Sequence, residues 1–123
     1  MKKILLAVIC DDYFTKLHDL LISSGYLVIW TTSFLELSST LQQQSDAGLL
    51  ILMAGLPGLN DLGDINLHLN IGIRKIPVIL LMTKVDIHSL KLADLMEFSE
   101  IIKYPIDFEP FEKILRSYFN DNN

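Results

Sequence analysis

A chain of 123 residues is one domain by size and can bury about two-thirds of its unfolded surface, so it needs no disulfide or metal staple. Half of the residues are hydrophobic and 20% are charged, which excludes a disordered polymer. Ten basic against fifteen acidic residues leave a net charge of -5, which argues against a nucleic-acid partner; the single cysteine, Cys10, excludes a disulfide framework and a cysteine-rich zinc site.

The amino terminus, Met1-Lys2-Lys3 before apolar Ile4 to Cys10, has the outline of a secretion signal. The run stops at Asp11-Asp12, however, and bulky Val8 and Ile9 precede Cys10 with no small-x-small cleavage site after it, so it reads as a strand. No other apolar run approaches the ~20 residues of a membrane helix, and the expected compartment is the cytoplasm.

Lys3 to Ile9 is a continuous apolar run, the pattern of a strand buried on both faces. Asp12 to Ser24 places Leu17, Leu20 and Leu21 at helical spacing, and Gly25 stops that helix. Tyr26 to Thr31 is a second strand. Ser33-Phe34-Leu35-Glu36 reads as a capping box, with Glu36 reaching back to the Ser33 amide, and Leu37 and Leu41 continue the helix. Leu49 to Met53 is a third strand, followed by the turn Gly55-Leu56-Pro57-Gly58. Leu62, Ile65 and Leu69 mark a third helix, and Pro77 to Met82 a fourth strand. Ile87 to Phe98 is a fourth helix and Glu100 to Lys103 a short fifth strand. Asp107 can cap a last helix with Phe111, Ile114, Leu115 and Tyr118 on its apolar face; 120–123 is a polar tail.

The order is (βα)5, an α/β class chain forming one domain over 1–119. Apolar strands with helical crossovers imply a doubly wound parallel five-stranded sheet between two helical layers. In such sheets the chemistry collects beyond the carboxyl ends of the strands.

The chain resembles the receiver domain of bacterial two-component response regulators, CheY-like and flavodoxin-like. The resemblance covers roughly 3–119 and is carried by Lys3-Ile4-Leu5-Leu6, Ser24-Gly25-Tyr26, Leu56-Pro57-Gly58, Ile76-Pro77-Val78-Ile79 and Pro105, in that order. It implies a strand order 2-1-3-4-5. It also implies a phosphorelay site: an acidic pair holding Mg²⁺, an acceptor Asp ending strand 3, a Thr or Ser ending strand 4, and a Lys before a cis-proline. Phosphoryl transfer needs each of them, as metal ligands, nucleophile and cation.

This chain departs at every one of those positions. Counted from Gly25, Pro57, Pro77 and Pro105, the acidic pair falls on Val8 and Ile9, the acceptor on Met53, the hydroxyl on Met82 and the lysine on Tyr104. The aromatic switch position of strand 5 falls on Ile101. Asp11 and Asp12 lie just downstream of the acidic pair, and a shortened first helix would restore them to it; as plain helix residues they are an N-cap and a first-turn acid. No acid lies between Asp46 and Asp61 to replace the acceptor.

The expectation is a non-phosphorylatable pseudo-receiver, not an enzyme, with no metal and no cofactor, that regulates through protein–protein interaction. The alternatives are a receiver that uses Asp11 and Asp12, or a sensor binding a small ligand at the apolar cluster Val8, Met53, Met82 and Tyr104. The resemblance implies a partner or homodimer face on the fourth helix, fifth strand and last helix: Leu90, Lys91, Asp94, Ile101, Lys103, Tyr104 and Tyr118. Cys10 reads as a small buried filler, Trp30 as partly buried, and His18, His68 and His88 as surface residues without metal spacing.

Overall fold

The computed structural model describes residues 2–43, 47–58, 76–82, 100–105 and 107–119. Five strands form one sheet: β1 (Lys3–Ala7), β2 (Leu27–Thr31), β3 (Leu49–Met53), β4 (Val78–Met82) and β5 (Glu100–Lys103). All pairings are parallel and the order is β2-β1-β3-β4-β5, the doubly wound arrangement expected from the alternating pattern. Three helices are described: α1 (Asp12–Ser23), α2 (Phe34–Gln43) and α3 (Phe108–Phe119). The helices expected around Leu62–Leu69 and Ile87–Phe98 lie outside the described residues.

The central strands carry the core. Every residue of β3 and β4 is buried, as are Ile4 to Ala7 of β1. Runs such as Leu49-Leu50-Ile51-Leu52-Met53 are buried on both faces, which a parallel sheet covered by helices requires. Phe14, Leu17 and Leu21 of α1, Leu37 and Leu41 of α2, and Phe111 and Leu115 of α3 close over the sheet. Their spacing of three and four residues is the helical stripe.

The helix ends follow from local chemistry. Asp11 is the N-cap of α1, its carboxylate accepting the Phe14 N–H at 2.8 Å. The other end closes as a Schellman turn: Gly25 N–H donates to Ile22 O and Tyr26 N–H to Leu21 O, at 3.0 and 3.2 Å. That turn needs a left-handed residue, and Gly25 supplies φ 96°. At α2, Ser33 Oγ accepts the Glu36 N–H at 3.2 Å as expected. The Glu36 carboxylate reaches one residue further than the capping-box reading placed it. It accepts from the Thr32 N–H and hydroxyl, at 2.8 and 2.9 Å, instead of from the Ser33 amide.

Two strand boundaries also differ. β1 ends at Ala7 instead of Ile9, because beyond it only the Val8 N–H continues the ladder, to Thr31 O at 3.2 Å. β2 starts at Leu27, whose N–H donates to Lys2 O at 2.9 Å, while Tyr26 still belongs to the Schellman turn. No helix among the described residues is long and apolar enough to cross a membrane.

Candidate functional site at the carboxyl ends of the strands

The sheet register decides which residues meet at this end. Ala7 pairs with Leu52, so the next residues along, Val8 and Met53, adjoin each other. Met53 in turn pairs with Leu81, and Met82 with Lys103. Val8, Met53 and Met82 are 0, 6 and 8% exposed. Three of the sequence-predicted positions therefore come together as an apolar end to the sheet.

The backbone of this end is satisfied internally. The Ile9 N–H donates to Met53 Sδ at 3.2 Å. Trp30 Nε1 donates to Val8 O at 2.9 Å, and the Trp30 ring stacks on His18 with centroids 5.0 Å apart. Ala54 N–H donates to Leu81 O and Tyr104 N–H to Met82 O, both at 2.8 Å. Trp30 is half-buried, as expected for an aromatic at the end of its strand.

Tyr104, at the lysine position, belongs to an aromatic cluster with α1. Its ring stacks on Tyr13 at 5.8 Å and 20°, and meets Phe14 at 5.2 Å. Tyr13 and Phe14 pack edge-to-face at 4.9 Å. The Tyr104–Pro105 peptide is cis, at the place where the resemblance puts a cis-proline. Tyr13 and Phe14 escaped the sequence reading, which took Leu17, Leu20 and Leu21 as the buried stripe. The signal available was the pair of aromatics in the first turn, directly after the Asp11 cap.

The remaining predicted residues are dispersed. Asp11 and Asp12 are exposed, and Asp11 is engaged as the α1 cap. Cys10 is exposed, not a buried filler, because β1 has ended three residues earlier and the loop gives it no face to pack on. His18 is partly covered by its stack on Trp30, with its Nδ1 3.3 Å from Asp19 Oδ1. On the predicted partner face Ile101, Tyr104 and Tyr118 are half-buried and Lys103 is exposed. Leu90, Lys91, Asp94, His68 and His88 lie outside the described residues. An open groove of about 320 Å³ lies away from the Met53 cluster, between α1 and the start of α3, lined by Tyr13, Lys16, Leu17, Leu20, Asp107 and Phe108.

No family model matches the chain, and no curated protein matches it in sequence. Solved structures do match. A two-component response regulator from Clostridium difficile is 15% identical, with a TM-score of 0.87 over 100% of this chain and 99% of that one. The receiver domain of a sensor histidine kinase from Pseudomonas aeruginosa, with a magnesium ion coordinated in its active site cleft, is 15% identical, with a TM-score of 0.81 over 98% of each chain. A response regulator receiver protein from Burkholderia phymatum is 19% identical, with a TM-score of 0.76 over 98% of this chain and 96% of that one. The chain has the receiver fold.

A divalent cation does not fit the residues present. Val8, Ile9 and Met53 offer no side-chain oxygen, and hard cations take oxygen ligands. Among the described residues no three His, Cys, Asp or Glu side chains are grouped to hold a metal.

Proposed function

We propose that this chain is a signalling module on the receiver scaffold that acts by binding a protein partner, without aspartyl phosphorylation and without enzymatic activity of its own. The observation that carries the reading is Met53. At the acceptor position stands a buried thioether, engaged with the Ile9 N–H, and methionine cannot accept a phosphoryl group. Val8 beside it is fully buried and apolar. A module with this end sealed has no charge change there with which to shift between two states. Its output then depends on the presence of the partner.

The face proposed for that partner is β5 with α3, through Ile101, Lys103, Tyr104 and Tyr118, together with Leu90, Lys91 and Asp94. Its described residues offer aromatic rings beside the exposed Lys103, as interfaces do.

Two experiments test the reading. Incubation with a small acyl phosphate and Mg²⁺, followed by intact-mass measurement, should leave the mass unchanged; addition of one phosphoryl group overturns the first half. Affinity capture with the wild-type chain and a Lys103→Glu/Tyr118→Ala chain as baits should give a saturable partner with the first alone. A partner retained equally by both moves the interface elsewhere.

A further inference from the structure

The groove between α1 and the start of α3 has the size and lining of a small-molecule site. Such sites are mostly apolar clefts of about 300–1,000 Å³ with a few polar groups that fix orientation. This one holds about 320 Å³. Leu17 and Leu20 of α1 give it apolar surface, and each wall adds one aromatic ring, Tyr13 from α1 and Phe108 from α3. Tyr13 is held by its ring contacts with Tyr104 and Phe14.

Each wall also carries one charge. Lys16 stands on α1 and Asp107 directly before α3, and both are exposed. Neither side chain has a hydrogen-bond or ion-pair partner among the described residues. For Asp107 the sequence supplies the reason. Asp11, at the same place before α1, accepts the N–H of the third residue on, Phe14. The third residue after Asp107 is Pro110, which has no N–H to give. Asp107 therefore enters α3 through its main-chain carbonyl, which accepts the Phe111 N–H at 3.3 Å, and its carboxylate is left uncommitted.

We propose that this groove binds an aromatic α-amino acid in its zwitterionic form. Charge complementarity selects that ligand. An anion would pair with Lys16 and lie beside Asp107, and a cation would pair with Asp107 and lie beside Lys16. A ligand carrying both charges meets a partner at each. Its ring packs between Tyr13 and Phe108, where offset and edge contacts between rings are favourable. Its carboxylate meets the Lys16 ammonium, which follows it on a flexible stem, and its ammonium meets the Asp107 carboxylate. The site is separate from Val8, Met53 and Met82 and does not rest on the partner reading given above.

Backbone-amide NMR titration of the full chain with L-phenylalanine should give saturable shifts centred on Tyr13 to Leu20 and on Asp107 and Phe108. Phenethylamine lacks the carboxylate and 3-phenylpropionate lacks the amine. Each should bind about two- to fivefold more weakly, the contribution of one partly exposed ion pair. Lys16→Ala should weaken L-phenylalanine by that factor and leave phenethylamine no weaker. Asp107→Asn should weaken L-phenylalanine likewise and leave 3-phenylpropionate no weaker. Both residues are exposed, so both variants should keep the fold, which the unshifted remainder of each spectrum checks. Shifts that never saturate, or that centre outside the groove, overturn the proposal. So does a variant that weakens all three ligands equally, or glycine binding as tightly as L-phenylalanine. Partner capture through β5 and α3 is read separately, and its failure leaves this result standing.

Discussion

The Ile9 backbone N–H hydrogen-bonds to the thioether of Met53, 44 residues away in the chain, at 3.2 Å. Sulfur is a weak acceptor, but this one is nearly buried and aimed at the backbone. Met53 therefore fills two roles, packing and amide satisfaction. Met53→Leu keeps the volume and removes the acceptor, and should cost about 0.5–1.5 kcal/mol in urea denaturation. Met53→Asp places a carboxylate among Val8 and Leu81 and should cost more, about 2–3 kcal/mol. It should still take no phosphoryl group from an acyl phosphate, because Val8 and Ile9 supply no metal ligand.

Tyr104 ties the end of β5 to α1 through its contacts with Tyr13 and Phe14. Tyr104→Lys, which installs the receiver residue, loses both ring contacts, each worth about 0.5–1.5 kcal/mol. The expected outcome is a total loss of about 1–3 kcal/mol in urea denaturation and a weaker near-ultraviolet dichroism signal.

Gly48 precedes β3 where Phe119 of α3 crosses it. A Cβ there would lie 2.6 Å from Phe119 Cε1, and that ring also packs on Tyr26 at 5.4 Å. Gly48→Ala should destabilise by about 1–3 kcal/mol. In a Phe119→Ala background the same substitution should cost clearly less, since the obstructing ring is gone. Denaturation of the four proteins in the cycle measures the coupling.

Two described groups add a pH dependence to the stability. The hydrogen bonds from Thr32, backbone first, hold the Glu36 carboxyl below its ordinary value. Its contribution is thus present above the ordinary carboxylate range and is lost as pH falls through the folded value. Glu36→Gln should melt below wild type at neutral pH, with the gap closing below about pH 4. Tyr26 shifts the other way: burial raises its phenol and the nearby Glu112 adds to this, against an opposing Arg116. Its neutral form is favoured in the fold, so stability falls as pH rises past about 10. Tyr26→Phe should lose that alkaline dependence in thermal melts.

The strands were legible because their signal is local. Leu49–Met53 and Glu100–Lys103 are runs bounded by breakers, and the sheet order followed from their alternation with helices. The Gly25 stop and the Ser33 cap were legible for the same reason. What escaped is what depends on a distant neighbour. Phe14 is buried more deeply than Leu20 because Tyr104 and Tyr13 surround it, a fact held in no window of sequence. Cys10 was misplaced because an apolar run does not say where pairing ends. The apolar identity of Val8, Met53 and Met82 was readable by counting from Gly25, Pro57 and Pro77, but the Met53 bond to Ile9 needed the register of β1 against β3.

Trp30 is the chain's single tryptophan, and its indole N–H is held by the Val8 carbonyl while its face rests on His18. The protein thereby carries its own fluorophore, wired to the residue that adjoins Met53. Its emission wavelength and yield follow the hydrogen bond to Val8 and the ring above it. Loosening of the strand ends therefore becomes an optical signal in the unlabelled chain, read at concentrations far below those that calorimetry demands.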